Sequence, residues 1–290
     1  MNQRKIKQSF HIALLITAGL MPFQLNYANK KDAPYFQNNS YFDYDIYWNF
    51  LKVGFARLNF HELEASNNDS ERYEINISIK SNNLINVIYP VDNYIVSTLL
   101  KTDENTKPLI YTKRSNEGGK QRNTVVKFDY QLNQIIEEKN NIQLQPIALT
   151  PNLKDPLSLI LALCQNDFQT NPIFKQDVSD GGQIISIKSS YLNKEVINTS
   201  LGEFQTHAIN VETKGIRGVF KKSPNAEVVL FLSEHSPSIP VKFMSKIRVG
   251  NFHALLSGGM HNGIQIKGMK KEPLEVHSSS KKQLGKRFKR

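Results

Sequence analysis

Alternation of apolar and polar residues with a period of two is the feature that most constrains this chain. Tyr44, Ile46 and Trp48 share one face of a strand, and Asp43, Asp45 and Tyr47 share the other. Ile75, Ile77 and Ile79 repeat the pattern, with Glu74, Asn76 and Ser78 between them. Similar runs occupy Tyr94–Leu100, Thr124–Tyr130, Gln183–Ser189, Lys194–Thr199, Phe204–Val211, Glu227–Leu232, Val241–Val249 and Phe252–Leu256. Turn-rich segments separate them: SNNDSER, KTDENTKP, RSNEGGKQRN, DVSDGG, KSPNA, SEHSPS and SGGMHNG. Short strands with such regular polar punctuation predict a mainly β protein, built as an antiparallel sandwich, a strongly curved sheet or a half-open barrel.

One segment breaks the alternation. In LKDPLSLILALCQ, from Leu153 to Gln165, Asp155 can cap a first turn and Pro156 suits the first helical position. Leu157, Leu159, Ile160, Leu161, Leu163 and Cys164 then cover nearly every side of a short helix over residues 155–165. A helix that is apolar all round is buried, and in a β protein its place is against the concave face of the sheet or in the mouth of a barrel.

The stretch YDIYWNFLKVGFARLNF, from Tyr44 to Phe60, poses the functional question. Its first strand is aromatic on one face, and Gly54 and Ala56 leave room on the second. Small strand residues mark a bend or the close approach of another element. Two readings follow: the aromatic face packs on the buried helix, or the helix covers only part of the concave face and an apolar ligand fills the rest. In the second reading Tyr44, Ile46, Trp48, Ala56, Ile77, Leu157 and Ile160 line the ligand.

The order of these features resembles that of the secreted bacterial family catalogued as domain-of-unknown-function family 3108. YDIYWNFLKVGFARLNF, VVKFDY, DPLSLILALCQ, LGEFQTHAINVETKG and VVLFLSEHSPSIPVKFMSKIRVGNFHALL carry the resemblance, over roughly residues 41 to 256. It implies an exported envelope protein and supplies no catalytic residue. A more distant likeness is to the curved half-barrels that chaperone lipoproteins across the periplasm, and it rests on architecture alone.

Charge and the N-terminus bear on location. Arg4, Lys5 and Lys7 precede an apolar run from Phe10 to Met21, which Pro22 ends. That is the pattern of a secretory signal peptide, residues 1–28, cut after Ala28. The run falls short of the about 20 residues a membrane helix needs, although a retained anchor is the alternative. The expected location is the periplasm or cell envelope of a Gram-negative bacterium. With Cys164 as the only cysteine, no intramolecular disulfide can form. The net charge of +11 sits mostly at the ends, and the body is close to neutral. A strongly basic body would have suggested nucleic acid, and none is expected as a partner. The remaining organisation reads as one β-rich domain over 41–260 and a basic tail over 261–290.

That tail contains Lys281, Lys282, Lys286, Arg287, Lys289 and Arg290. It reads either as a solvated, disordered extension or as a contact for an anionic membrane or glycolipid surface.

Enzymatic signatures are sparse. There is no Gly-x-Ser-x-Gly elbow, and HELE at His61–Glu64 lacks the second histidine of a zinc protease. His207, His235, His253, His261 and His277 stand singly, without metal-ligand spacing. No phosphate loop or dinucleotide fingerprint occurs. Asp43 and Asp45 form one carboxylate pair on a strand face, able to share a proton or bind a cation, or simply forming its wet side. Asp155 is accounted for by capping, and Cys164 by burial. The expectation is no catalytic residue, no metal and no cofactor. The leading function is non-catalytic binding of an apolar or amphipathic envelope component, of lipid or lipoprotein type. The alternatives are an assembly protein that holds an envelope partner and an enzyme acting on an envelope polymer through carboxylates.

Overall fold

The computed structural model describes residues 40–63, 71–102, 106–212, 227–234, 238–247 and 250–269. The expected signal segment and the six tail cations lie outside the described residues.

From β1 (Ser40–Trp48) the chain runs up and down through β2 (Leu51–Leu63), β3 (Arg72–Ser81), β4 (Val91–Lys101), β5 (Thr106–Glu117), β6 (Lys120–Asp129) and β7 (Gln134–Lys139). Short β8 (Ile142–Gln143) and β9 (Ile147–Ala148) both pair with β7. Helix α1 (Asn83–Ile88) lies between β3 and β4, and helix α2 (Pro156–Gln165) follows β9. A second meander then comprises β10 (Ile173–Val178), β11 (Ile185–Thr199), β12 (Gly202–Val211), β13 (Glu227–Ser233), β14 (Pro240–Ile247), β15 (Gly250–His261) and β16 (Ile264–Gln265).

These strands form one 16-stranded sheet, antiparallel between strands throughout, running from β10 at one edge to β8 at the other. The two meanders join at its centre, where β15 pairs with β1. Curvature is strong enough that β11 touches β15, with β12, β13 and β14 between them in the sheet. The edges β8 and β10 do not pair, so the sheet stays open. The connection through α2 spans the gap. Lys154 makes an isolated parallel bridge with Val178 at the end of β10, and Leu149 N–H donates to the Asn133 carbonyl beside β7 (2.9 Å).

Turn chemistry fits this meander. The Gly118–Gly119, Asn140–Asn141 and Asn262–Gly263 pairs each sit between adjacent strands with φ positive at both residues. That is the two-residue hairpin geometry whose twist matches that of the flanking strands.

Helix α2 forms as its sequence predicts. Asp155 caps it, accepting from Leu157 N (2.7 Å) and Ser158 N (3.0 Å), and the Ser158 hydroxyl accepts from Asp155 N (2.9 Å). Every residue from Leu157 to Cys164 is buried, against β3, β4, β5 and β10.

Three local expectations change. Much of RSNEGGKQRN and SGGMHNG is strand, and only the Gly118–Gly119 and Asn262–Gly263 pairs turn. Ile185–Ser189, from the Gln183–Ser189 run, and Lys194–Thr199 belong to one strand, β11, whose pairing shifts register between Tyr191 and Asn193. Gly54 makes room for backbone rather than for the helix: a Cβ there would meet the Lys80 carbonyl oxygen at 2.3 Å. The sheet also extends past residue 260, since Met269 N–H donates to the Glu203 carbonyl (2.9 Å).

Candidate functional site

The concave face is built from register rows, in which paired residues of successive strands lie side by side. One row reads Phe42, Leu58, Ile77, Ile95, Lys113, Thr124, Lys139 from β1 to β7. A second reads Tyr44, Ala56, Ile79, Asn93, Ser115, Arg122. A third reads Ser40, Phe60, Ile75, Ser97, Tyr111, Val126, Glu137. The rows are mostly apolar over β1, β2 and β3, and polar residues enter from β4 onward. The inner face thus has an apolar wall and a polar wall.

The apolar wall holds most of the expected ligand-lining residues. Tyr44, Ile46, Ala56, Ile77, Leu157 and Ile160 are all core side chains, none more than 4% exposed. Tyr44 donates to the Pro240 carbonyl (3.0 Å), and burial beside Cys164 of α2 raises its phenol well above the ordinary range. Tyr44, Ile46 and most of the buried residues of α2 belong to one apolar core. Trp48 stands apart from the other six, half-buried at the strand end and stacked on Phe252 with ring centroids 6.1 Å apart.

The polar wall is stitched to the crossing segment. Ser97 on β4 donates to the Asp155 carboxylate (2.6 Å), and Lys154 Nζ donates to the Thr106 carbonyl at the start of β5. Burial pushes Lys154 down to about 8, against the opposing pull of Asp155. Burial raises Asp155, while its hydrogen bonds from Ser97, Ser158 and Leu157 draw it back. On β7, Glu137 accepts from Gly182 N (2.6 Å) beyond β10 and pairs with Lys139. A single buried carboxylate thereby links the two sides of the open seam.

Toward the end of the sheet that carries the 49–50 and 118–119 turns, the wall becomes ionisable. Asn93 donates to Glu117 Oε1 (3.0 Å), and Glu117 is fully buried with Oε2 lacking a hydrogen-bond partner among the described residues. Lys113 lies on the same face. Burial lowers its ammonium below the usual lysine range, opposed by the charges of Glu117 and Asp180. An unpaired carboxylate oxygen and a desolvated ammonium are groups that gain from a polar ligand. Among the described residues, no group of three or more His, Cys, Asp or Glu could hold a metal.

Lys113, Glu117, Asn93, Lys154 and Glu137 were not singled out from the sequence. The available signal was the phase of alternation: Val91, Ile95 and Leu99 fix the inner face of β4, and the hairpin at Gly118–Gly119 fixes which β5 residues share it.

Asp43 and Asp45 lie on the outer face, each held by a cation of β2. Arg57 grips Asp43 through Nε (2.6 Å) and Nη2 (2.9 Å), and Lys52 pairs with Asp45 (2.7 Å). They edge an open groove of about 490 Å³ with Phe55, Lys80 and Ser257. The groove lies where β1 shifts register against β15 beside Gly258.

Among solved structures, a beta-barrel-like protein of domain of unknown function DUF1849 from Brucella abortus is similar, at 7% identity and a TM-score of 0.49. The match covers 78% of this chain and 98% of that one. No curated protein matches the chain. Residues 43–257 match the family described as "Protein of unknown function (DUF3108)", and the chain belongs to that family.

Proposed function

We propose that this is an exported envelope protein that binds an amphipathic molecule without transforming it. The apolar part of the ligand would meet the apolar wall near its open end, around Trp48. The polar part would meet Lys113, Glu117 and Arg122. The observation that carries this reading is that each register row, mainly apolar over β1–β3, acquires a polar residue at β4 or β5 within one continuous inner face. The N-terminal sequence supports export, and the cations Lys281 to Arg290 favour an anionic surface on their charge alone.

The carboxylate-enzyme reading loses support, because Asp43 and Asp45 each face a neighbouring cation on the convex side. Lipid extraction and native mass spectrometry of protein purified from its own envelope test the binding reading. The expected result is a stoichiometric amphipathic adduct that detergent displaces. Protein that carries none, and takes up none from an envelope lipid extract, contradicts it.

A further inference from the structure

The ionisable end of the polar wall holds two opposite charges that do not meet. Lys113 and Glu117 lie on one face of β5 with Ser115 between them, and strand spacing sets their Cα atoms about 13 Å apart. Among the described residues, no ion pair or hydrogen bond holds the Lys113 ammonium. Glu117 is engaged through Oε1 alone, by Asn93 (3.0 Å), and Oε2 has no partner among the described residues. Asn93 is itself fixed, since Asn116 N donates to its Oδ1 (3.1 Å), so the carboxylate is held with one oxygen spare. Lys120, opposite Glu117 across the turn, is exposed and leaves that oxygen unmet.

Packing gives no reason for this arrangement. Glu117 is fully buried, and a buried carboxylate oxygen without a donor is destabilising. Lys113 keeps accessible surface, yet burial lowers its ammonium. Surface retained on a desolvated group faces an enclosed space rather than bulk water. Register places that space beside Ile95 on β4 and Thr124 on β6.

The signs of the charges narrow what fits there. The charges that act on Lys113 are Glu117, Asp180 and Arg122, so two cations and two acids share this end. A purely anionic head would gain the cations and meet two carboxylates of its own sign. A purely cationic head would suffer the reverse. A head that is neutral overall and charged at both ends suits all four groups. A quaternary ammonium would bring the charge but no N–H for Glu117 Oε2.

We propose that the polar part of the ligand is zwitterionic, with a primary ammonium donating to Glu117 Oε2 and a phosphate or carboxylate held by Lys113 and Arg122. This rests on the amphipathic-ligand reading and goes further by naming the head.

The test offers short-chain phosphatidylethanolamine, phosphatidylcholine and phosphatidylglycerol in equal amounts to the detergent-washed full chain, with retention read by native mass spectrometry. The expected result is phosphatidylethanolamine retained at least tenfold over each of the others. In Glu117→Gln, Asn93 keeps its acceptor and the amide N–H turns toward the ammonium, so the ethanolamine-to-choline ratio should fall close to one. Circular dichroism reports that the fold is kept. O-phosphoethanolamine without acyl chains should displace the lipid only at far higher concentration. Phosphatidylcholine retained as well as phosphatidylethanolamine, phosphatidylglycerol retained above it, or a preference that survives in Glu117→Gln overturns the zwitterion proposal and leaves the amphipathic reading standing. Retention of no lipid, or displacement by O-phosphoethanolamine at equal concentration, overturns both.

Discussion

The walls made by β1–β3 and by β4–β7 belong to one sheet, face one interior and are built on opposite principles. In the first, Phe42, Tyr44, Leu58, Phe60, Ile75, Ile77 and Ile79 pack directly, and stability comes from area removed from water. In the second, Asn93, Ser97, Glu117 and Glu137 are equally buried. Burying them is tolerable only because most of their polar atoms find partners. The difference teaches where to look for function. An apolar wall explains itself by packing, whereas a buried charge with an unpartnered oxygen calls for a further reason. The outer faces are largely polar, with Asp43, Asp45, Arg57, Asn59, Glu74 and Lys80 on β1–β3. That is the reverse of a barrel whose strands face lipid.

The sharpest way to break the comparison is to damage each wall in turn. Ile77→Ala removes a fully buried side chain from the centre of the apolar wall, and about 3 kcal/mol of stability should go with it. Urea unfolding measures this. Asp155→Ala strips the cap of α2 and leaves the Ser97 hydroxyl and two helix N–H groups without their acceptor. A loss of about 2–3 kcal/mol is expected, again read by urea unfolding.

Acid sharpens the contrast next. Burial holds His261 down at about 4, against an ordinary value of 6.5, with its ring 5.8 Å from that of Phe42. Between those values the unfolded chain takes up a proton that the folded chain refuses. The contribution is therefore complete above 6.5 and is lost as pH falls toward 4. By roughly pH 5 the effect is on the order of 2 kcal/mol. Thermal unfolding of His261→Gln should show a shallower fall with pH than the parent over that window.

Smaller effects follow on the polar wall and the outer face. Glu117→Gln keeps the shape, can still accept from Asn93 and removes a buried charge. Its stability should change by less than about 1 kcal/mol in either direction. On the outer face, Asp43→Asn should cost no more than about 1 kcal/mol, since the Arg57 pair is partly solvated. High salt should shrink that difference.

Much of the first wall was legible in the sequence and much of the second was not. The alternation of Ile75, Ile77 and Ile79 reads directly as a half-buried strand. The same alternation in Tyr111, Lys113, Ser115 and Glu117 is invisible, because the inward positions are themselves polar. β5 and β7 went unmarked for that reason. The Leu153–Gln165 helix was legible because its cap, its proline and its all-round apolar surface agree. Helix α1 was not: six residues, three of them outward-facing apolar ones, give no amphipathic signature. Of the candidate site, sequence found the residues around α2 that pack and missed the charged ones, whose meaning depends on register.

The account's central claim is that the polar wall is there to receive the polar part of an amphipathic ligand. Native mass spectrometry of Lys113→Met beside the parent protein, both purified from their own envelope, tests it most directly. The account predicts an amphipathic adduct on the parent and at least a tenfold loss of it from the variant, with an unchanged or higher melting temperature. An adduct equally abundant on both proteins, or absent from the parent, would contradict it.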